Sequence, residues 1–535
     1  MPNAIVAPQP QAVEAGARVL MSGGNAIDAA VTAAFVQGIV DPHMCGIGGY
    51  ALVTLQLAGA PAPIAIDAPA LAGSKTSPTM WDDQVIGPNP DGWGYFLKGK
   101  VNDAGYTSIC TPGWVKGMAT ILERYGTISW ADAIAPAVEI AESGYIVSEY
   151  QATRWKRPRA YPEACSLLDY ILMNPEASRI YLRADGQPYD MGQRLRNPDF
   201  AATLRDLARN GPEDFYTGKL AATMTADWDT NGAFVTADDL RNYTLREETY
   251  VTGTYRDYTI VSAAAPHGGP TLIAMLNILE GYDLAGMGHN SADYLYTVGM
   301  AMKAAFADRN PYMADPLFSD VPVDWMMSKE RAAYWRTRID HHESIEVSFA
   351  PTGTPSTTHV TVVDQAGNCV ALTHSLGASS GVITPGLGFM YNNSMINYHP
   401  ISGHRNSIGP RKSRTTGMAP TIVYKHGKPV LVLGAPGATR IITSVLQVIL
   451  NVLDFGMDPI VATHAPRIDC QTGSIRAHTR IPEFVLAEVR QHHPIAHIPQ
   501  AHGGFGLVHA VTIDPATGAL AGGADSGADG YALVI

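Results

Sequence analysis

The chain reads as a layered fold of mixed helices and strands, either α/β or α+β. Three observations predict this. Helical spacing of apolar residues dominates before about residue 345, and β-branched runs dominate after Thr357. Hydrophobic residues make up 46 % and charged residues 16 %, the mix of a globular protein with a large core. At roughly 100–200 residues per domain the 535 residues suggest about three domains, although a layered enzyme can exceed that range as one unit. The 52 Gly and 37 Pro imply many tight turns.

Taken in order, residues 23–40 (GGNAIDAAVTAAFVQGIV) read as a Gly/Asn-capped, Ala-rich buried helix. Residues 114–125, 130–144 and 201–207 carry apolar positions three and four apart. Residues 291–309 form a long helix with Ser291 as its N-cap. Short strand signals lie at 51–55, 63–66, 250–255 and 259–263. Residues 348–356 (SFAPTGTPS) lack periodicity and read as an exposed loop or linker. Beyond it come strands at 358–364, 369–375, 421–424 and 429–433, interrupted by one helix at 441–453. No repeat of 20–50 residues is evident.

The formal charge of -12 argues against a nucleic-acid partner. One basic stretch, residues 405–414 (RNSIGPRKSR), is either a solvated loop or an anion-binding element. Five widely spaced cysteines (Cys45, Cys110, Cys165, Cys369, Cys470) without a CxxC indicate neither a zinc site nor a disulfide framework, and are expected to be free buried thiols. The N-terminus lacks a signal-peptide pattern, and no apolar run approaches the roughly 18–20 residues of a membrane span. A cytoplasmic protein without membrane contact is the expectation. His341-His342 and His492-His493 lack metal-site spacing and are expected on loops or exposed strands. No P-loop and no nucleophile-elbow serine is read, so neither a metal nor a cofactor is expected.

The most informative stretch is residues 357–375, TTHVTVVDQAGNCVALTHS. Two β-branched runs flank Gln365-Ala366-Gly367, a three-residue loop whose Gly takes the left-handed position. Counting outward from Asp364 opposite Asn368, Thr357 faces Ser375 on the same side of the sheet; a one-residue slip would put His374 or Leu376 there. Two hydroxyls thus meet where loop becomes strand. A Thr hydroxyl is a weak nucleophile, but as an N-terminus it has its own α-amine as base, with a reference pKa of about 7.7–8.0. The same hydroxyl can first attack the Ser356 carbonyl and so create that terminus. Alternatively, the pair simply starts a strand.

These residues resemble the γ-glutamyltransferase family of N-terminal-nucleophile hydrolases. The resemblance runs over nearly the whole chain, through residues 23–31 (GGNAIDAAV), 45–50 (CGIGGY), 111–117 (TPGWVKG), 211–216 (GPEDFY), Gly268-Gly269, Thr357-Thr358-His359, Asn392-Asn393, 434–440 (GAPGATR) and Ala465-Pro466-Arg467. It implies an α+β fold, a four-layer αββα sandwich. It also implies self-cleavage between Ser356 and Thr357 into a large subunit (1–356) and a small subunit (357–535), together one structural unit, with Thr357 as nucleophile and Ser375 as second hydroxyl. Gly437 and Ala438 fall on the family's oxyanion-hole residues, whose backbone N–H groups are fixed before the oxyanion forms.

The match fails where the family reads a glutamyl group. The Arg that holds the glutamyl carboxylate has no counterpart in residues 65–72 (AIDAPALA). Asn397 stands in place of an Asp, Ser394 of a Gln, Gly377 of an Asn, and Thr416-Gly417 of a Ser–Ser pair. One charge-assisted hydrogen bond is worth about 1.5–3 kcal/mol, so these losses would weaken γ-glutamyl binding by orders of magnitude. Arg414 is a candidate replacement anchor for an anion. Residues 398–411 look shorter than the family's lid, implying a more open site. The resemblance therefore points toward the acylase-like and oxamate-amidohydrolase-like members: an amidohydrolase cleaving a small non-glutamyl amide, anionic or not, through an acyl-enzyme on Thr357. The alternatives are a true γ-glutamyltransferase or glutathione hydrolase with altered contacts, and a non-catalytic member. The expected partners are the amide substrate, the two subunits of one precursor, and a second heterodimer.

Overall fold

The computed structural model describes all residues except 91, 93, 248 and 351–355. Two antiparallel sheets stack face to face. The first has seven strands in the order Tyr531–Val534, Ala4–Ala7, Thr358–Val363, Cys369–Ser375, Tyr50–Gln56, Ile64–Ala68 and Arg246–Glu247. The second has six: Leu520–Ala524, His509–Ile513, Lys428–Gly434, Thr421–Lys425, Tyr258–Ala263 and Tyr250–Tyr255. Helices cover both outer faces, giving the αββα sandwich that the family resemblance implied.

The helix over the centre of the first sheet is Ala26–Val40, and every one of its residues is buried. Its composition explains this: it is apolar all round, and such a helix belongs inside. Its start is set by Asn25, whose side chain accepts from Ile27 N–H and Asp28 N–H while Asp28 accepts from Asn25 N–H, a reciprocal cap. Trp114–Tyr125 and Trp130–Ser143 follow where the spacing placed them. Over the second sheet lie Gly269–Leu279, Ala292–Tyr312 and Arg440–Leu453. Gly269–Leu279 is absent from the sequence reading for a physical reason: all eleven residues are buried, so no polar face marks a period. Pro459–His464 and Glu483–Val489 are further short helices where the sequence reading had a single helix after Thr357.

The inter-sheet core contains Val6, Val261, Val363, Ala371, Ile422, Val432 and Val511. The period-two alternation of strands then assigns directions. In Thr358–Val363 and Cys369–Ser375, the even-numbered Val360, Val362, Val370 and Leu372 pack into the helix-side core. The odd-numbered Val363 and Ala371 face the second sheet. Thr357 and Ser375 are odd.

The cysteines are free thiols, four buried as expected and Cys165 only half-buried. His341 and His342 are exposed after a helix, and the His342 ring stacks on His492. Among the described residues no His/Cys/Asp/Glu group is arranged to hold a metal, and no helix is long and apolar enough to cross a membrane. Of the linker at 348–356, residues 351–355 lie outside the described residues; Ser348 and Phe349 are exposed, but Ser356 is buried rather than loop-exposed, its carbonyl accepting from Ser375 Oγ just ahead of the strand.

Candidate active site

The hairpin has the register read from the sequence. Thr358 pairs with His374 and Val363 with Cys369, so Thr357 lies opposite Ser375. Gly367 closes the turn at φ +94 with its N–H on the Asp364 carbonyl. Thr357 Oγ1 lies 2.7 Å from the Ser356 carbonyl oxygen and donates to Ser375 Oγ at 3.1 Å. Ser375 Oγ in turn donates to the same Ser356 carbonyl and accepts from Gly377 N–H at 2.9 Å. Two hydroxyls therefore converge on the Ser356–Thr357 peptide bond, the bond at which the family resemblance led to an expectation of cleavage. With the Ser375 proton on the carbonyl and the Thr357 proton on Ser375, a lone pair of Thr357 Oγ1 is left free.

The next two residues of the cleavage motif support this strand from both faces. Thr358 Oγ1 accepts from Gln37 Nε2 at 3.0 Å and from Gln9 Nε2 at 3.2 Å on the helix side. Gln9 also donates to Asp41, whose carboxyl burial raises to about 6. His359 is fully buried between Thr373 Oγ1 at 2.8 Å and Thr361 Oγ1 at 2.9 Å, and burial holds its imidazole well below the ordinary range, hence neutral. It fills the space over Gly434, where an added Cβ would lie 2.3 Å from the ring.

The turn at 435–439 follows the Lys428–Gly434 strand. Gly437 has φ +138 and Ala438 φ +58, the latter a left-handed conformation costing a side-chain-bearing residue roughly 1–2 kcal/mol. Among the described residues neither N–H donates to another backbone carbonyl, and Ala438 is buried, so its amide is an available donor. Gly417 packs on this turn: an added Cβ would sit 2.1 Å from the Ala438 carbonyl oxygen.

A cavity of about 10 Å³ brings together Thr357, Gly377, Asn397, Arg414, Thr416, Gly417 and Ala438. Of the other expected site residues, Ser356 and Ser375 bond with Thr357 without lining this cavity, and neither Gly437 nor Ser394 lines it. Gly437 lines a neighbouring cavity of about 510 Å³. Ser394 is buried in the Ser394–Asn397 turn, does not line the small cavity, and its hydroxyl has no partner. The open site implied by a short lid is also not found. Thr357 is 4 % exposed, since Ser356 covers it and residues 398–412 pack down through Tyr398 O–H on the Lys412 carbonyl at 2.5 Å and Asn406 Nδ2 on the Asn397 carbonyl at 2.8 Å. A larger cavity of about 480 Å³, walled by Tyr95, Phe96, Tyr161 and Tyr170, also reaches Ser356.

Arg414 is the one buried cation lining the small cavity. It is 4 % exposed, its guanidinium lies 4.4 Å from the centroid of the Tyr50 ring, and it contacts the Tyr50 hydroxyl. One nitrogen donates to the Thr415 carbonyl at 3.2 Å and Nε has no partner. It takes part in none of the ion pairs among the described residues, and burial pushes it down to about 9. In the basic stretch, then, Arg405 and Arg411 are exposed and Arg414 faces the site. Arg246 and Asp315, bonded at 3.0 and 2.8 Å, hold the segment in place through Ser413 N–H on Asp315 at 2.7 Å.

The sequence reading gave no site role to Tyr50, which lies within the quoted CGIGGY and lines the cavity, or to His267, which adjoins the quoted Gly268-Gly269 and whose Nδ1 lies 2.8 Å from Thr416 Oγ1. It also missed that residues 377–381 (GASSG) carry GxSxG spacing, with Ser379 at φ +73. No nucleophile elbow results: the Ser379 hydroxyl is buried on Met390 Sδ at 3.0 Å, and no helix follows.

Comparison with known proteins places the chain by family and fold. The family profile described as Gamma-glutamyltranspeptidase matches residues 12–535. The chain is 35 % identical over 539 residues to the Acylase ACY 1 proenzyme of Pseudomonas sp. (strain V22), covering 99 % of this chain and 93 % of that one. It is 33 % identical over 480 residues to the Glutathione hydrolase proenzyme of Escherichia coli (strain K12), covering 86 % and 79 %. Among solved structures it superposes on a cephalosporin acylase from Bacillus halodurans with a TM-score of 0.88 at 26 % identity, covering 99 % and 95 %. The αββα sandwich, the hairpin at Thr357 and a match running through both halves of the chain lead to one conclusion: this protein belongs to the γ-glutamyltranspeptidase family.

Proposed function

We propose that the chain is a self-processing amidohydrolase of this family, with Thr357 as nucleophile and a short, carboxylate-bearing acyl group as substrate. The observation that carries the reading is the convergence of Thr357 Oγ1 and Ser375 Oγ on the Ser356 carbonyl. In processing, Thr357 Oγ1 attacks the Ser356 carbonyl carbon while Ser375 stabilises the oxyanion. The C–N bond breaks, the Thr357 nitrogen takes a proton, and an ester remains. Water hydrolyses the ester, leaving a Ser356 carboxylate on residues 1–356 and a free α-amine on residues 357–535. In turnover that amine is the base, and the same hydroxyl attacks a substrate amide to form an acyl-enzyme that water releases. The N–H groups of Gly437 and Ala438 are proposed donors to the oxyanion.

The acyl side of the reading rests on Arg414. A buried guanidinium without a carboxylate costs several kcal/mol, which a ligand carboxylate would recover. The chain lacks an Arg in residues 65–72, so a glutamyl group is disfavoured.

The test is a screen of small amides with matched variants. The wild type is expected as two bands on a denaturing gel, the smaller starting TTHV. Thr357→Ala is expected to stay uncut and to lose turnover. Ser375→Ala is expected to slow processing and kcat by about 10²–10³-fold, the cost of one oxyanion donor. Turnover retained in Thr357→Ala, or a preference for γ-glutamyl-p-nitroanilide, would overturn the reading.

A further inference from the structure

Behind Ser356 lies the cavity of about 480 Å³, a volume within the roughly 300–1,000 Å³ of small-molecule sites. It meets the small cavity at three places along the chain. Ser356 lines the large cavity and Thr357 the small one; Ala378 the large and Gly377 the small; Ile396 the large and Asn397 the small. The partition between them is thus a single layer of chain, and Ser356 is the part of it that processing turns into a chain end. Withdrawal of that end joins the two cavities across the Thr357 hydroxyl. Arg414 lies on the small side. An acyl group held there leaves the nitrogen of the scissile amide on the large side.

The large cavity is walled by rings. The Phe96 and Tyr161 ring centroids lie 6.2 Å apart, and Tyr95 and Tyr170 line the same space. The Tyr95 hydroxyl is bonded to His399 Nε2 at 2.8 Å, and the Tyr170 hydroxyl donates to Asp103 at 2.6 Å. These two tyrosines therefore offer a ligand their rings rather than their hydroxyls. Lys100, Arg154 and Arg157 face Asp103 and Glu163 around the wall. Nearby Lys156 and Arg159 pair with Asp190 and Asp169, whereas Arg154 and Arg157 enter no ion pair among the described residues. The wall is net positive, which disfavours a second ammonium group on the ligand. The cavity of about 510 Å³ beside Gly437 shares Arg154 and Arg157 but carries Arg440, Arg476, Glu149 and Asp529 in place of the four rings.

We propose that the ring-lined cavity is the leaving-group site, and that the amine released from the substrate amide is aromatic. This rests on the reading of Thr357 as nucleophile. In the step, Thr357 Oγ1 bonds to the acyl carbon and the C–N bond breaks. The Thr357 α-amine takes the hydroxyl proton and passes it to the departing nitrogen. The neutral amine leaves through the large cavity, and the water that hydrolyses the acyl-enzyme enters by the same route.

The experiment uses the cleaved protein and two succinyl amides of equal intrinsic reactivity, the phenethylamide and the propylamide. Self-cleavage is scored first, so a failure of the Thr357 assignment shows separately and proves folding in each variant. The wild type is expected to prefer the phenethylamide by about 10–10²-fold in kcat/KM, the worth of burying one ring. Phe96→Leu and Tyr161→Leu, which keep apolar bulk without the ring, are each expected to lower that preference by about 5–10-fold. Equal kcat/KM for the two amides, or a preference that survives in both variants, overturns the proposal. If neither amide is cleaved, the Arg414 reading fails on its own, and calorimetry with 4-nitroaniline, an aromatic amine uncharged at neutral pH, decides. Binding to the wild type that weakens in the two variants supports the site; no binding to the wild type, or undiminished binding in both variants, overturns it.

Discussion

At the scale of single residues, Arg414 carries the clearest cost. Its guanidinium is buried against Tyr50 without an acidic partner in an ion pair, and burial pulls it down to about 9. A group kept at such expense, at the wall of a reactive site, is best explained by a ligand. Arg414→Met is therefore expected to raise the thermal midpoint, because it removes an unpaired buried charge while keeping volume. It should also weaken carboxylate-bearing substrates by about 10–150-fold, the equivalent of a charge-assisted hydrogen bond of roughly 1.5–3 kcal/mol. Melting curves and KM measured together check both directions. Arg414 was one of several cations in residues 405–414, and its neighbours Arg405 and Arg411 turned out to be exposed. Sequence could name the candidates; only packing could separate them.

At the scale of elements, the hairpin and the turn at 435–439 behave differently with respect to prediction. The hairpin is local: its loop has three residues, its strands alternate, and its register follows from Gly367 alone, so the Thr357–Ser375 pairing was readable before any coordinates. The turn at 435–439 is positioned non-locally. It reaches the cavity because odd-numbered positions of the hairpin face the second sheet, whose Lys428–Gly434 strand delivers Ala438 there. Gly417 seats it from a segment some twenty residues away. Gly417→Ala is expected to displace the turn, since the new Cβ would lie 2.1 Å from the Ala438 carbonyl oxygen. The outcome should be slower processing and lower kcat by about 10–10²-fold, with a smaller change in KM, measured by steady-state kinetics and the rate of band appearance.

At the scale of the whole molecule, cleavage after Ser356 is expected to leave one particle. Residues on either side of the break share both sheets: Ala4–Ala7 pairs with Thr358–Val363, Tyr50–Gln56 with Cys369–Ser375, and Tyr258–Ala263 with Thr421–Lys425. The two subunits should therefore co-elute on gel filtration and separate only in denaturant; elution of two species in native buffer would contradict the shared core. The buried histidines set a second global property. Burial lowers His43 and His374 to about 3 and His509 to about 4, against an ordinary 6.5. Between those values the unfolded chain binds more protons than the folded one, so stability is present above about 6.5 and is lost as pH falls toward 4. A thermal midpoint that drops steadily over that window checks this, and a flat profile would contradict it.

By itself, the sequence determined the mixed layered fold, the hairpin register and the pairing of Thr357 with Ser375, because each rests on short-range periodicity and on one turn. It also named the positions, among them Asn397, Ser394 and Gly377, where the family resemblance leads one to expect glutamyl-reading side chains and other residues stand. Only the tertiary structure decided which residues gather around that pair. Tyr50, Asp67, His267, Arg414 with Thr416, and Ala438 come from five separate stretches of chain, and their meeting depends on how two sheets stack and which face of each strand turns inward. The sealing of Thr357 beneath Ser356 was likewise a matter of packing, for a shorter loop opens a site only if nothing else fills the space.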